Sequence, residues 1–243
     1  MRKNVPIFKG NLRNHIIEMP NSIRDASGIL IFGKRLKSFV FTTDVAIIRN
    51  TNADAVIAVY PFTPQPIITA SLIMASDVPV FCGVGGGITT GKRVINLALD
   101  AEFKGALGVV VNNPTPNDVI RQVRETIDIP IIVTVVSEYE DIKARIDAGA
   151  TILNVSGAKR TPYIVKKIRE KFPDFPIMAT GGPNDATIKE TIEAGANAIT
   201  YTPPTTSEIL NEIMLKYRDN YMDFREPLSQ EESNKNKEND SFL

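Results

Sequence analysis

A chain of 243 residues, 43% hydrophobic and 23% charged, can bury one large core without disulfides or metal staples. Its 28 Lys and Arg balance 28 Asp and Glu, so net charge gives no pull toward nucleic acid or a membrane surface. The single cysteine, Cys82, excludes an internal disulfide; with no apolar run near the ~20 residues of a membrane span and no apolar signal core in MRKNVPIFKGNLRN, a cytoplasmic protein is expected.

Residues 1–37 read as an N-terminal extension packing on the domain that follows. They hold one strand candidate, Gly28 to Gly33, placed to plug the bottom of a barrel or to join an interface. His15, the only histidine, lies in this extension. A histidine-based triad or a His/Cys zinc site therefore lacks its residues, and neither a metal nor a cofactor is expected.

From Ser38 the chain alternates short β-branched runs with longer amphipathic ones. The strand candidates are SFVFTT, AVIAVYP, VPVFCGV, ALGVVVN, PIIVTVV, TILNVSG, PIMATGG and NAITYTP. They are apolar throughout rather than alternating, the pattern of strands covered on both faces. Helical segments such as TPNDVIRQVRETI, EYEDIKARIDAG and PNDATIKETIEAG separate them. An internal repeat reinforces the reading: Asp-x-Pro introduces the third, fifth and seventh strands at Asp77, Asp128 and Asp174, and Ala-Gly-Ala introduces the sixth and eighth at Ala148 and Ala194. Proline as a strand's first residue forfeits no ladder bond, and glycine lets a helix end in the left-handed conformation. The unit is βαβα, a quarter of a closed barrel. The predicted architecture is an α/β single domain, a (β/α)8 TIM barrel over 38–225, with the short N-terminal extension before it. The tail 226–243, EPLSQEESNKNKENDSFL, is polar and expected to be disordered.

Function in such a barrel sits at the strands' C-terminal ends. Candidate acid–base groups there are few. Asp44 ends the first strand and is the first choice of general base, or else the N-cap of the next helix. Glu138 follows the fifth strand and Lys159 the sixth. Tyr60, Asn112 and Asn113 offer hydrogen bonds to a polar ligand. Gly85 and Gly86, in the run Gly83 to Gly87, either form an anion-binding nest or a loop that admits substrate. Gly181 and Gly182 close the seventh strand and lead into a helix N-terminus, where backbone N–H groups and the helix dipole favour an anion. Cys82 has no histidine to activate it and reads as a small hydrophobe.

The combination Met178-Ala179-Thr180-Gly181-Gly182, a short helix, Ala194-Gly195-Ala196 and a final strand resembles the ribulose-phosphate-binding (β/α)8 barrels. The resemblance implies a phosphate ester held by Thr180, Gly181 and Gly182. Where such barrels commonly end the eighth strand in a Gly-Ser-type pair, this chain reads Tyr201-Thr202-Pro203-Pro204, which shifts the remaining contacts to Thr205 and Thr206. Lys159 occupies a position where some barrel aldolases hold a Schiff-base lysine. The expected function is an enzyme of isomerase, epimerase, lyase or synthase type on a small phosphorylated metabolite. The alternatives are a non-catalytic metabolite-binding or regulatory barrel, or a hydrolase. The partner is a small molecule, with no nucleic acid and no membrane, and fold analogy allows a homo-oligomer.

Overall fold

The computed structural model describes Pro6, Phe8 and residues 16–223, with side chains through 218; His15 and the segment 226–243 lie outside the described residues. The elements run β1 (Ile29–Ile31), β2 (Lys34–Leu36), β3 (Ser38–Phe41), α1 (Val45–Arg49), β4 (Ala55–Ala58), α2 (Pro66–Ala75), β5 (Val80–Gly85), α3 (Lys92–Phe103), β6 (Gly108–Val111), α4 (Asn117–Thr126), β7 (Ile131–Val135), α5 (Ile142–Asp147), β8 (Ile152–Val155), α6 (Thr161–Lys171), β9 (Ile177–Thr180), α7 (Asp185–Glu193), β10 (Ala198–Tyr201) and α8 (Thr206–Asp223). β3 to β10 are all parallel and close on themselves, β10 pairing with both β9 and β3. This is the (β/α)8 barrel that the β-branched runs and their spacing predict. Its strands are covered on both faces: all four residues of β4 and of β6 are buried.

The chain divides into two compact units at Pro203 and Pro204. The first contains the barrel strands and α1 to α7. The second carries α8, which the sequence assigns to the barrel domain.

The segment read as a single strand is a hairpin. Gly33 cannot extend it, because Phe32 and Gly33 take φ of 45° and 80°. Positive φ at both central residues marks the type I′ turn that suits right-twisted strands. β1 and β2 pair antiparallel, Ile29 opposite Leu36. Ile29, Ile31 and Leu36 face the barrel and share one core cluster with Phe39, Phe81, Ile132 and Met178. Leu30 and Phe32 face outward, 71% and 64% exposed. Gly28 N–H donates to Asn197 carbonyl, just before β10. The hairpin thus closes the lumen at the strands' N-terminal ends.

The Ala-Gly-Ala repeat has a mechanical explanation. Gly149 and Gly195 take φ of 116° and 112°, and a Cβ at either would press on the stems of Arg124 and Arg169. Two residues on, Thr151 Oγ1 and Asn197 Oδ1 accept the Ile131 and Ile177 N–H groups of the neighbouring strands. The repeat fixes where even-numbered strands enter the sheet and stays away from the chemistry.

Candidate ligand site at the barrel mouth

Side chains alternate along a strand with period two. Ile57, Phe81, Val110, Ile132, Ile152, Met178 and Ala198 all lie in the lumen cluster. Two residues further along, the lumen positions are therefore Val59, Gly83, Asn112, Thr134, Asn154, Thr180 and Thr200. The lower lumen is apolar, and the upper lumen is polar on β7 to β10. Among the described residues none of these upper positions is ionisable.

A cleft of about 370 Å³ opens between the ends of β4, β5 and β6. Four residues singled out from the sequence, Tyr60, Gly85, Gly86 and Asn112, line it, together with Phe62, Thr63, Ile88 and Thr89. Its shape depends on glycine at 86, where φ is 112° and a Cβ would lie 2.5 Å from Asn112 Cβ and 2.9 Å from Asn112 N. Asn112 N–H donates to Gly85 carbonyl at 3.0 Å, and Gly86 N–H donates to Thr89 carbonyl at 3.0 Å. Gly85 and Gly86 are thus tied by backbone hydrogen bonds to Asn112, just beyond β6, and to Thr89. Tyr60 Oη accepts the Gln65 N–H at 2.9 Å and props the opposite wall. Asn113 does not line the cleft; its carbonyl accepts from Arg145.

None of the charged candidates lines this cleft. Asp44 caps α1: its Oδ1 accepts Ala46 N–H at 2.8 Å and Ile47 N–H at 3.4 Å. Glu138 is ion-paired with Arg160 and lines a groove with Glu140, Asp141, Lys143 of α5 and Lys167 and Lys171 of α6. Lys159 is exposed on the short turn Ala158–Arg160 and lacks the burial a nucleophilic amine requires.

Each of the paired glycines has a packing reason. A Cβ on Gly181 would lie 2.7 Å from Ile199 Cγ2 and 2.8 Å from Ile188 Cγ1, so glycine there lets α7 seat on β10. Gly181 N–H is already spent on Thr200 carbonyl. Gly182, at φ 82°, leaves room for Thr187, whose hydroxyl would be 2.6 Å from a Cβ. Thr187 and Asn184 form the capping box of α7. Thr180 Oγ1 donates to Ser156 Oγ at 3.3 Å. In the second unit, the Glu208 carboxylate accepts both the N–H and the hydroxyl of Thr205, and these bonds hold its pKa below the usual carboxylate value. Thr206 is the first residue of α8.

Cys82 is buried on β5, and desolvation pushes its pKa from 9.0 up to about 12. The thiol should resist iodoacetamide at pH 8.5 until the chain is denatured. Its folded pKa is raised, so it contributes no pH dependence below about pH 9. Between about 9 and 12 the unfolded chain loses this proton and the folded one keeps it, so stability falls as pH rises, by at most about 1.4 kcal/mol per unit from this group. Cys82→Ala should flatten that alkaline slope in urea titrations; an unchanged slope would remove the burial argument.

Thr134, Asn154 and Thr200 are lumen residues that sequence reading missed. The signal was present: each lies two residues after an apolar lumen position on its strand. The apolar character of the strands masked the alternation.

Among the described residues no cluster of His, Cys, Asp or Glu is arranged to hold a metal ion, and no helix is long and apolar enough to cross a membrane. No family model matches the chain, and no curated protein matches it by sequence. Solved structures do resemble it. Phosphonopyruvate hydrolase, solved in complex with oxalate and Mg++, is 11% identical with a TM-score of 0.58, covering 81% of this chain and 88% of that one. A 2,3-dimethylmalate lyase of the PEP mutase/isocitrate lyase superfamily is 14% identical at TM-score 0.57, covering 82% of each chain. Thiamine phosphate pyrophosphorylase from Pyrococcus furiosus is 21% identical at TM-score 0.51, covering 68% and 84%. At such identities the likeness shows a shared fold, the (β/α)8 barrel, and nothing finer.

Proposed function

We propose that this chain binds a small phosphorylated metabolite at the C-terminal mouth of its barrel and acts on it by isomerase- or lyase-type chemistry. The observation that carries the reading is the cleft at the ends of β4 to β6, whose walls are held by Gly86 against Asn112 and by Tyr60 against Gln65. Concave sites with a few placed polar groups at this end of the barrel are where such folds bind ligands. Support for a phosphate group comes from Thr180, Gly181 and Gly182, which lead into the N-terminus of α7, where the helix dipole favours an anion. Asp185 in that first turn accepts a hydrogen bond from Ser22 Oγ at 2.7 Å. Two of the named barrel neighbours, phosphonopyruvate hydrolase and thiamine phosphate pyrophosphorylase, also carry phosphorus compounds in their names. Thr205 and Thr206 lie in the second unit and take no part in this reading. Asp44, at the end of β3, is the carboxylate assigned as general base, removing a proton beside a carbonyl.

A second reading is favoured by the placement of the charged groups: Asp44 caps a helix, Glu138 is ion-paired with Arg160 and Lys159 is exposed. On that reading the barrel binds its metabolite without turning it over. Thermal melts with inorganic phosphate and a panel of phosphate esters test the ligand class. A compound present at about 100 times its Kd adds about 2.7 kcal/mol, or roughly 5 °C or more for a chain this size. A melting curve unmoved by millimolar phosphate esters would overturn the phosphate reading. Asp44→Asn then separates the two. Turnover lost with binding kept supports the enzyme; a lower melting temperature with turnover intact leaves Asp44 as a cap only.

A further inference from the structure

The cleft at the ends of β4 to β6 has uncharged walls. Its volume, about 370 Å³, is in the range of small-molecule sites. No Asp, Glu, Lys, Arg or His lines it. The glycine run supplies no anion cradle in their place, because Gly86 N–H is bonded to Thr89 carbonyl. A carboxylate or phosphate entering the cleft would lose hydration with no counter-charge to offset the loss. The walls are flat and apolar instead: the Tyr60 and Phe62 rings, Pro61, Pro64 and Ile88. Phe62 and Ile88 are 74% and 97% exposed, apolar surface that a bound ring would cover.

Of the polar side chains, Thr89 donates to Thr63 at 3.4 Å and Tyr60 accepts from Gln65 N–H. Asn112 differs. Its backbone N–H and carbonyl are engaged, with Gly85 carbonyl and Thr115 N–H, yet its side-chain amide meets no partner among the described residues. Nor is that amide sealed off. Asn154 Oδ1 and Thr200 Oγ1 are unpartnered and buried, whereas the Asn112 amide keeps accessible surface on the cleft. A primary amide presents an N–H donor and a C=O acceptor side by side in one plane. Its match is another planar unit with an adjacent donor and acceptor in the reverse order.

We infer that this cleft is the subsite for an uncharged planar ring with a lactam- or carboxamide-type edge, read by Asn112 and packed on by Tyr60 and Phe62. Asn112 Nδ2–H donates to the ligand carbonyl, and the ligand N–H donates to Asn112 Oδ1. The inference rests on the barrel mouth being the ligand site; it does not depend on the metabolite carrying phosphate.

The test titrates the full chain with 2-pyridone, N-methyl-2-pyridone and benzoate and follows its amide signals by NMR. 2-Pyridone has the ring and the edge, methylation removes the N–H, and benzoate puts a charge in place of the edge. 2-Pyridone should bind about fivefold or more tighter than N-methyl-2-pyridone, which leaves Asn112 Oδ1 unmatched, and it should move the Asn112 side-chain signals. Asn112→Leu keeps the Cβ and the backbone bond to Gly85, and it should erase that preference. Phe62→Ala removes an exposed ring without opening the core. It should weaken both pyridones about fivefold or more and leave the preference intact. Should Asn112→Leu not fold, the native preference and the loss in Phe62→Ala decide the outcome. Equal binding of the two pyridones overturns the inference, as does tighter binding of benzoate or a preference that survives in Asn112→Leu. If no ring binds while phosphate esters raise the melting temperature, the inference falls and the phosphate reading stands. Ring binding with phosphate esters inert supports the inference and overturns the phosphate reading. Binding of neither overturns both.

Discussion

Gly86→Ala should destabilise the barrel by about 2–6 kcal/mol and abolish any ligand-induced rise in melting temperature. Two costs add at this position. The backbone sits at φ 112°, a conformation L side chains rarely adopt, which costs of order 1–3 kcal/mol. The added Cβ would also fall 2.5 Å from Asn112 Cβ and 3.0 Å from Asn112 Cα. The second clash is with backbone, so no rotamer change relieves it, and forced overpacking costs a further ~1–3 kcal/mol. The strand end must move, and it is the wall of the cleft. Gly87→Ala is the control. Its φ is 75° and nothing lies within 4 Å of the new Cβ, so only the left-handed strain of about 1 kcal/mol remains. Urea denaturation of the two variants decides the matter. Equal losses would mean that the contact with Asn112 contributes nothing.

The hairpin gives the other large effect. Leu36→Ala should cost about 2–5 kcal/mol, and Ile31→Asp should prevent folding, because Ile31 is 5% exposed among lumen side chains that offer a carboxylate no partner. The cause is geometric. The lower lumen is filled from the strands by Phe39, Phe81, Ile132, Ile152 and Met178, and from below by Ile29, Ile31 and Leu36. Removing one of the last three leaves a cavity that the rigid ring of strands cannot collapse around. Leu30→Ala, on the opposite face of β1 and 71% exposed, should change stability by no more than about 0.5 kcal/mol. If Leu36→Ala proves as mild as Leu30→Ala, the hairpin is an ornament and the barrel closes without it.

The eight barrel strands, their parallel order and the helices between them were legible from residues 38 to 203 alone. A parallel strand covered on both faces must be apolar along its whole length, and Asp-x-Pro and Ala-Gly-Ala mark its beginning by backbone chemistry that works locally. The same locality identified Asp44 as a cap candidate and the end of each strand as the place to look for chemistry. Four of the five ligand-contact residues named from that list, Tyr60, Gly85, Gly86 and Asn112, do meet in one cleft. Only the tertiary structure decided the rest. The paired glycines Gly181 and Gly182 look alike in sequence, yet one clears Ile188 and Ile199 and the other clears Thr187; which neighbour comes close depends on how α7 lies on the sheet. Glu138 and Arg160, 22 residues apart, pair only because β7 and β8, whose C-terminal loops carry them, lie side by side in the barrel. The polar upper lumen was hidden for the same reason: in strands buried on both faces, Thr134, Asn154 and Thr200 look like interruptions of an apolar run. Closing the barrel turns them to one side and leaves Asn154 Oδ1 and Thr200 Oγ1 buried without a partner among the described residues.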